Sequence, residues 1–199
     1  MRLILLFLTV LSLNLPAQDN LQIKSKYFKS YDYEQMGKYS EAIKVLAPLY
    51  DKYPKGYTLN LRFGWLFFQN KNYNDAAKYY RQASLIKGYA IDPKLGLIAV
   101  ALRTASYTEA ENIAHEILKL DFYNYYANRY LISALLAQKK YDVAREIIGK
   151  MLSLYPTDIS FLEQLAVVYK AQNSPYLAQL YEDILILDPN NVYVRSQQH

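Results

Sequence analysis

The fold is decided by a short stretch that recurs along the chain: Tyr39-Ser40-Glu41-Ala42, Tyr73-Asn74-Asp75-Ala76, Tyr107-Thr108-Glu109-Ala110 and Tyr141-Asp142-Val143-Ala144. Each copy begins 34 residues after the previous one, without insertion or deletion. A fifth copy keeps its alanine at Ala178 but has Pro175 in place of the tyrosine. Self-similarity at a fixed period of this kind indicates a repeat protein, in which each unit packs against its neighbours.

A second set of residues follows the same period. Pro54 and Pro156 are 102 residues apart, which is three periods of 34, and Gly88 lies one period after Pro54. Pro189 lies one residue before its expected place, so the last unit is slightly shortened. Because two independent registers share one period, the chain is predicted to be a repeat array.

Each unit has the pattern of two helices joined by a short turn. In the second unit, Leu61, Trp65 and Phe68 follow the spacing of one helix face, and Ala76 and Ala83 follow that of another. Turn-forming residues separate the two stripes at positions 70–72. The chain is therefore predicted to be all-α.

These residues resemble the tetratricopeptide repeat (TPR) family, in which helix pairs carry an aromatic residue, a small residue and a proline at fixed positions. The resemblance covers five units, at residues 23–56, 57–90, 91–124, 125–158 and 159–192. It implies a right-handed superhelix, an α-solenoid of five helix-turn-helix repeats with a concave groove. The residues expected to pack the helices of each repeat together are Tyr39, Ala42, Tyr73, Ala76, Tyr107, Ala110, Tyr141, Ala144 and Ala178.

The resemblance also implies a binding site, because TPR proteins line the groove with residues from the first helix of each repeat. The matching positions here are Tyr27, Tyr31, Gln35, Leu61, Trp65, Phe68, Gln69, Leu102, Arg103, Tyr126 and Arg129. Aromatic and arginine side chains dominate binding hot spots. We therefore expect the aromatic side chains of the first two repeats to receive an extended or helical segment of another protein. The alternative is that these side chains pack on adjacent helices and complete the core.

The N-terminus has the pattern of a secretory signal peptide. Arg2 precedes an apolar run from Leu3 to Leu13, which at 11 residues is shorter than the about 20 needed to span a bilayer. Cleavage is expected after Ala17, leaving 18–22 as a lead before the repeat domain at 23–192 and 193–199 as a C-terminal tail or short cap. The alternatives are an uncleaved membrane tether or a buried first helix.

Composition excludes several kinds of functional site. The chain of 199 residues has no cysteine and only two histidines, so disulfides, thiolate metal sites, cysteine nucleophiles and multi-histidine sites are not expected. An exported chain without cysteine fits a bacterial periplasm. The net charge of +5 is scattered rather than clustered, which argues against nucleic-acid binding. We expect no cofactor, no metal and no catalytic residue.

The expected function is that of a non-enzymatic scaffold or adaptor for other proteins or peptide segments of the bacterial envelope. The alternative is a module that binds cell-wall glycans, because tyrosine and tryptophan rings also stack on sugars. The last predicted helix carries more apolar residues than one face needs: Leu177, Leu180, Tyr181, Ile184, Leu185 and Leu187. An uncovered apolar edge invites self-association, so a homodimer through the C-terminal repeat is a further expectation.

Overall fold

A computed structural model describes residues 15–197, and within that range the chain consists of helices without a β-strand. The helices are α1 (Leu15–Gln35), α2 (Tyr39–Lys52), α3 (Tyr57–Gln69), α4 (Tyr73–Ile86), α5 (Ile91–Arg103), α6 (Tyr107–Leu118), α7 (Tyr125–Ala137), α8 (Tyr141–Leu154), α9 (Ile159–Ala171), α10 (Leu177–Leu187) and α11 (Val192–Gln197). The first ten form five successive pairs, one for each repeat, and α11 follows them. This confirms the predicted all-α fold, an α-solenoid of helical repeats.

The chain divides into two compact units. The first ends at Pro54 and contains α1 and α2, which pack against each other. The second begins at Lys55 and contains α3 to α11. In the second unit each helix packs against the one that follows it, and the first helices of successive repeats (α3, α5, α7 and α9) also contact one another in order. The first helices of this unit therefore form a continuous layer.

Small residues set the distance between the two helices of a repeat. The predicted packing residues Ala42, Ala76, Ala110 and Ala144 are all 0% exposed, each one turn into its second helix. An alanine projects no atom beyond Cβ, so the neighbouring helix can approach closely. The tyrosine that begins each of these helices is half-buried beside its alanine.

The predicted packing role of Ala178 is wrong, because Ala178 is exposed. Helix α8 begins at Tyr141 and a strict period would begin α10 at Pro175, but α10 begins two residues later, at Leu177. The delay rotates the helix, so Leu180 and Ile184 take the buried positions instead. Pro175 lies in the turn before α10, so this helix does not begin in the tyrosine register of the other repeats.

The turn inside each repeat has the same left-handed residue, again at a spacing of 34. Residues Gly37, Lys71, Ala105, Lys139 and Asn173 have φ values between 50° and 69°. In each repeat the amide of the following residue donates to a carbonyl five positions back, as Asn72 N does to Phe67 O at 2.9 Å. This is the Schellman pattern that ends a helix through a left-handed residue. Only the first copy is a glycine, for which positive φ costs least.

The ring of Tyr80 lies between the backbones of two first helices. A Cβ added to Gly64 in α3 would lie 2.6 Å from this ring, and one added to Gly96 in α5 would lie 2.4 Å from it. Both glycines therefore leave room for a tyrosine that comes from α4 and is only 4% exposed. One period later, the positions of Gly64 and Tyr80 are occupied by Ile98 and Ala114, both 0% exposed. The large and the small residue have exchanged places, which keeps the interior filled.

The structure describes the C-terminal helix α11 but leaves most of the predicted signal peptide undescribed. The predicted signal peptide lies almost entirely in residues 1–14, outside the described range, and α1 begins at Leu15 and continues through Ala17. Among residues 15–197, no helix combines the length and the apolar character that a membrane crossing requires. At the other end, α11 buries Val194 against a cluster that includes Leu162 and Ile184.

Replacing Gly64 or Gly96 with alanine is expected to lower the free energy of unfolding by about 1–3 kcal/mol, because overpacking forces the Tyr80 ring to move. Gly149→Ala is the matched control, since that glycine is also helical and its added Cβ would have no heavy atom within 4 Å. Because glycine is less favourable than alanine inside a helix, Gly149→Ala should raise the free energy of unfolding by about 1 kcal/mol. Urea unfolding followed by circular dichroism measures all three variants. A gain in stability for Gly96→Ala would contradict the placement of the ring.

Replacing Ala105 with glycine is expected to stabilise the protein by about 1 kcal/mol, because alanine pays a steric cost at positive φ that glycine avoids. The reciprocal variant, Gly37→Ala, should lose a similar amount. The same unfolding experiment applies. If Ala105→Gly instead lowers the free energy of unfolding by about 1 kcal/mol, as replacing alanine with glycine does in a helix interior, the left-handed turn is absent in solution.

Candidate functional site

A groove in the second unit is lined by the first helices α3, α5, α7 and α9 and has a volume of about 860 Å³. We call it the first-helix groove. Its lining residues are Leu61, Trp65, Phe68, Gln69, Tyr80, Asp92, Leu95, Gly96, Ala99, Leu102, Arg103, Arg129, Tyr130, Ser133, Ser160, Glu163 and Gln164. A volume of this size is within the range of sites that bind small ligands or peptide side chains.

One part of the groove is an aromatic platform. Trp65 and Phe68 lie one turn apart on α3, and their rings stack with centroids 6.4 Å apart at an angle of 24°. Phe68 is in turn supported by Tyr73, at 5.7 Å between centroids. Trp65 nevertheless remains 41% exposed. The platform is therefore supported by ring packing while Trp65 stays partly exposed.

The middle of the groove is basic. Arg103 ends α5 and is exposed, while the guanidinium of Arg129 lies 6.0 Å from the ring centroid of Tyr126 and 5.7 Å from that of Tyr130. Among residues 15–197, no carboxylate oxygen lies within 4.0 Å of either guanidinium. Arginine presents a planar fork of donors that suits a carboxylate. These two side chains can therefore bind an acidic group of a ligand.

The part of the groove contributed by α9 is polar and held by hydrogen bonds. Gln164 Nε2 donates to the backbone oxygen of Arg129 and to Ser133 Oγ, each at 3.0 Å, which ties α9 to α7. Glu163 Oε1 accepts a hydrogen bond of 2.8 Å from Asn191, at the start of α11. From α3 to α9, the lining thus contributes aromatic, then basic, then acidic and amide side chains, with a further carboxylate, that of Asp92, in the first turn of α5. Such a sequence of chemistries can orient a bound chain.

Tyr80 contributes to the groove from beneath. Its ring reaches the lining because Gly64 and Gly96 carry no side chain that would cover it. Burial raises the pKa of the Tyr80 phenol above its usual value, and the neighbouring Tyr130 raises it further. The hydroxyl therefore stays protonated and can serve as a hydrogen-bond donor in the groove.

The structure places seven of the eleven predicted binding residues in this groove: Leu61, Trp65, Phe68, Gln69, Leu102, Arg103 and Arg129. Tyr126 is 53% exposed and lies outside the lining, beside Arg129. The other three belong to the first unit. There, Tyr27 is half-buried, whereas Tyr31 and Gln35 are exposed on α1.

Sequence reasoning missed several lining residues, including Tyr80, Tyr130, Ser133 and Gln164. A signal existed for Tyr130 and Ser133, which lie one and four residues after Arg129 on α7. No sequence signal existed for Tyr80, because it comes from a second helix and reaches the groove only through two glycines. In the described part of the chain, no group of three or more metal-ligating side chains comes together.

Comparisons with known proteins agree with this architecture. The family model of the tetratricopeptide repeat matches residues 29–90 and 95–159. Among solved structures, a MamA protein from Desulfovibrio magneticus RS-1 is 14% identical with a TM-score of 0.75, covering 86% of this chain and 97% of that one. YrrB, a TPR protein with an unusual peptide-binding site, is 11% identical with a TM-score of 0.70, covering 93% and 96%. No curated protein sequence matches the chain. At such identities the structural likeness concerns the fold.

The raised pKa of Tyr80 predicts a loss of stability in alkali. Above pH 10 the phenol ionises in the unfolded chain but keeps its proton in the folded one, so stability falls as the pH rises. Above pH 10, Tyr80 is expected to lower the free energy of unfolding by about 1.4 kcal/mol per pH unit. Tyr80→Phe should remove this part of the slope in urea unfolding between pH 9 and pH 11.

Tyr89→Phe is the control for this experiment, because Tyr89 is 88% exposed. An unchanged slope in Tyr80→Phe would show that the Tyr80 hydroxyl is not buried in solution.

Proposed function

We propose a function from one premise: the chain belongs to the tetratricopeptide repeat family. The family fold is a protein-interaction module, built of repeats that present an extended surface. On this basis the chain is a non-enzymatic scaffold or adaptor. It holds a peptide segment of another protein in the first-helix groove.

One observation supports this function above the others: the groove combines an open aromatic platform with two arginines that lack a carboxylate partner in the described chain. Trp65 is 41% exposed although it stacks on Phe68. A large aromatic surface is unfavourable to leave in water, and the planar donor fork of arginine gains charge-assisted hydrogen bonds when a carboxylate binds it. The matching ligand is a segment with a bulky apolar side chain for the platform and an acidic side chain for Arg103 and Arg129.

The proposed setting is the bacterial envelope, on the strength of the N-terminal sequence. Arg2, the apolar run Leu3 to Leu13 and the small residue Ala17 have the order of a signal peptide. The partners would then be other envelope proteins. Cell fractionation with N-terminal sequencing of the mature protein tests the location, and a mature chain that begins at Gln18 is the expected result.

Self-association through the C-terminal repeat is part of the proposal. Although α11 covers part of α10, Ile186 is 76% exposed, and Val192 at the start of α11 is 81% exposed. These are exposed apolar side chains of the last repeat and of α11, against which a second copy could pack. Light scattering at increasing concentration tests this point, and a strict monomer at high concentration would contradict it.

A second candidate ligand is a cell-wall glycan. The exposed, stacked pair of Trp65 and Phe68 is also the kind of surface on which sugar rings lie. The two ligands differ in their dependence on Arg103, because a neutral glycan has no carboxylate for the guanidinium. Titration with cell-wall fragments that leaves the Trp65 fluorescence unchanged would argue against the glycan.

Replacing Trp65 with alanine is expected to weaken peptide binding by at least about tenfold, because it removes the centre of the aromatic platform. Peptides are first selected on the full chain from a displayed random library, and binding is then measured by calorimetry. Trp65 is the only tryptophan, so its fluorescence reports directly on the groove in the unaltered protein. Arg103→Gln should weaken acidic peptides while leaving their neutral variants unaffected.

Tyr89→Ala is the matched control, since Tyr89 is exposed and does not line the groove. The melting temperature should change little in any of these variants. Unfolding of Trp65→Ala would show that Trp65 is a core residue, and full retention of peptide binding in Trp65→Ala would place the site elsewhere.

A further inference from the structure

A second concave feature lies between the second helices α6 and α8 and has a volume of about 720 Å³. We call it the second-helix cleft. It shares no lining residue with the first-helix groove. Its apolar lining is formed by Leu118, Phe122, Leu131 and Ile147, and Lys150 contributes an ammonium group.

The ammonium group of Lys150 is held in place by the cleft. Its Nζ donates to Asn128 Oδ1 at 2.8 Å and to the backbone oxygen of Phe122 at 3.4 Å. It also lies 4.0 Å from the centroid of the Phe122 ring. Asn128 is 0% exposed, and its Nδ2 donates to the backbone oxygens of Phe122 and Asn124. Because Asn128 is fixed in this way, the position of Lys150 Nζ is fixed as well.

In the preceding repeat, the lysine at the matching contact has a carboxylate partner, which Lys150 lacks in the described chain. One period before Asn128 and Lys150, the same two positions hold Lys94 and Glu116, which form an ion pair of 3.0 Å. In the third repeat the positive charge is thus neutralised by a carboxylate. In the fourth repeat the partner is a neutral amide, and no carboxylate oxygen in residues 15–197 lies within 4.0 Å of Lys150 Nζ.

The other charged residues of the lining do not neutralise the positive charge of Lys150. His115 on α6 and Lys119 directly after that helix add basic groups, and Glu146 is the acidic residue of the lining. Burial lowers the pKa of Lys150, as expected for an ammonium group that has lost water without gaining a counter-ion. Lysine has three N–H donors, of which the two described hydrogen bonds use two, so one remains for a ligand.

The cleft exists because the third repeat departs from the common pattern. Helix α6 has 12 residues, whereas α2, α4 and α8 each have 14. Phe122 occupies the position that is proline or glycine in the neighbouring repeats, at Gly88 and Pro156. Its ring is 58% exposed and forms a wall of the cleft beside Lys150.

We propose that the second-helix cleft binds a small amphiphilic carboxylate, an unbranched alkyl chain that ends in a carboxylate group. The chain lies along Leu118, Phe122 and Ile147, and the carboxylate accepts a charge-assisted hydrogen bond from Lys150. The chemistry matches because the lining is mostly apolar and carries one fixed cation in need of a counter-ion. A carboxylate supplied by the ligand would take the role that Glu116 has in the preceding repeat.

Calorimetric titration of the full chain with decanoate, below its micelle concentration, tests the proposal. Saturable binding with one site is expected, and affinity should rise about fourfold for each CH2 added from hexanoate to decanoate, as apolar burial predicts. Decan-1-ol, which lacks the charge, should bind at least about tenfold more weakly. Absence of saturable binding by decanoate, or equal binding by the alcohol, would overturn the proposal.

Lys150→Gln is expected to reduce decanoate affinity at least about tenfold. Lys139→Gln removes the same charge from an exposed turn outside the cleft and should bind decanoate normally. If Lys150→Gln fails to fold, Phe122→Ala serves instead: Phe122 is exposed enough to be dispensable for folding, and the loss of its wall should weaken decanoate more than hexanoate. Unchanged binding in the folded variant would overturn the proposal.

Two further measurements test whether the carboxylate comes from a small amphiphile or from a peptide C-terminus, and whether it binds in the second-helix cleft or in the first-helix groove. A short peptide with a free C-terminal leucine should bind more weakly than decanoate. Tighter binding of that peptide than of decanoate would overturn the assignment to a small amphiphile. Trp65→Ala should leave decanoate binding unchanged, so the experiment can succeed or fail independently of the peptide groove.

Discussion

The close contact between the two helices of each repeat, made at a buried alanine, determines most of what the structure can do. Ala42, Ala76, Ala110 and Ala144 are fully buried, and their small side chains allow the helices of each pair to approach closely. With the second helix so close, one face of each first helix is covered. In the second unit, the face that remains on α3, α5, α7 and α9 forms the first-helix groove.

Variation around this contact gives the groove and the cleft their chemistry. In the second repeat the large residue is Tyr80 and the small ones are glycines, so a phenol reaches the first-helix groove. In the third repeat the large and small residues exchange, and α6 ends early, which opens the second-helix cleft beside Phe122. In the fourth repeat, Lys150 occupies the position that Glu116 has in the third repeat. Because the positions of the repeat are constant, each site can be traced to one or two departures from the common pattern.

The fold was predictable from the sequence because its cause is periodic. Tyrosine, alanine and proline at a spacing of 34 residues fixed the helix pairs and most of their boundaries. The prediction failed at Ala178, because α10 begins two residues later than the period requires and a comparison of single positions does not reveal such a shift within a repeat. Seven groove residues were predicted from first-helix positions, whereas Tyr80 was not, since its ring reaches the groove only because two residues of other helices are glycines. The pairing of Lys150 with Asn128 likewise required the three-dimensional contact between α7 and α8.

The Tyr80 ring has a consequence for how the array comes apart. In a linear array the stability of each unit depends on its own helices and on its junctions with its neighbours. Tyr80 belongs to the second repeat, yet its ring occupies space left by Gly96 in the third. Separating these two repeats therefore opens a cavity the size of an aromatic ring in addition to breaking ordinary helix contacts. We therefore expect the second and third repeats, which carry the aromatic platform and Arg103, to unfold together.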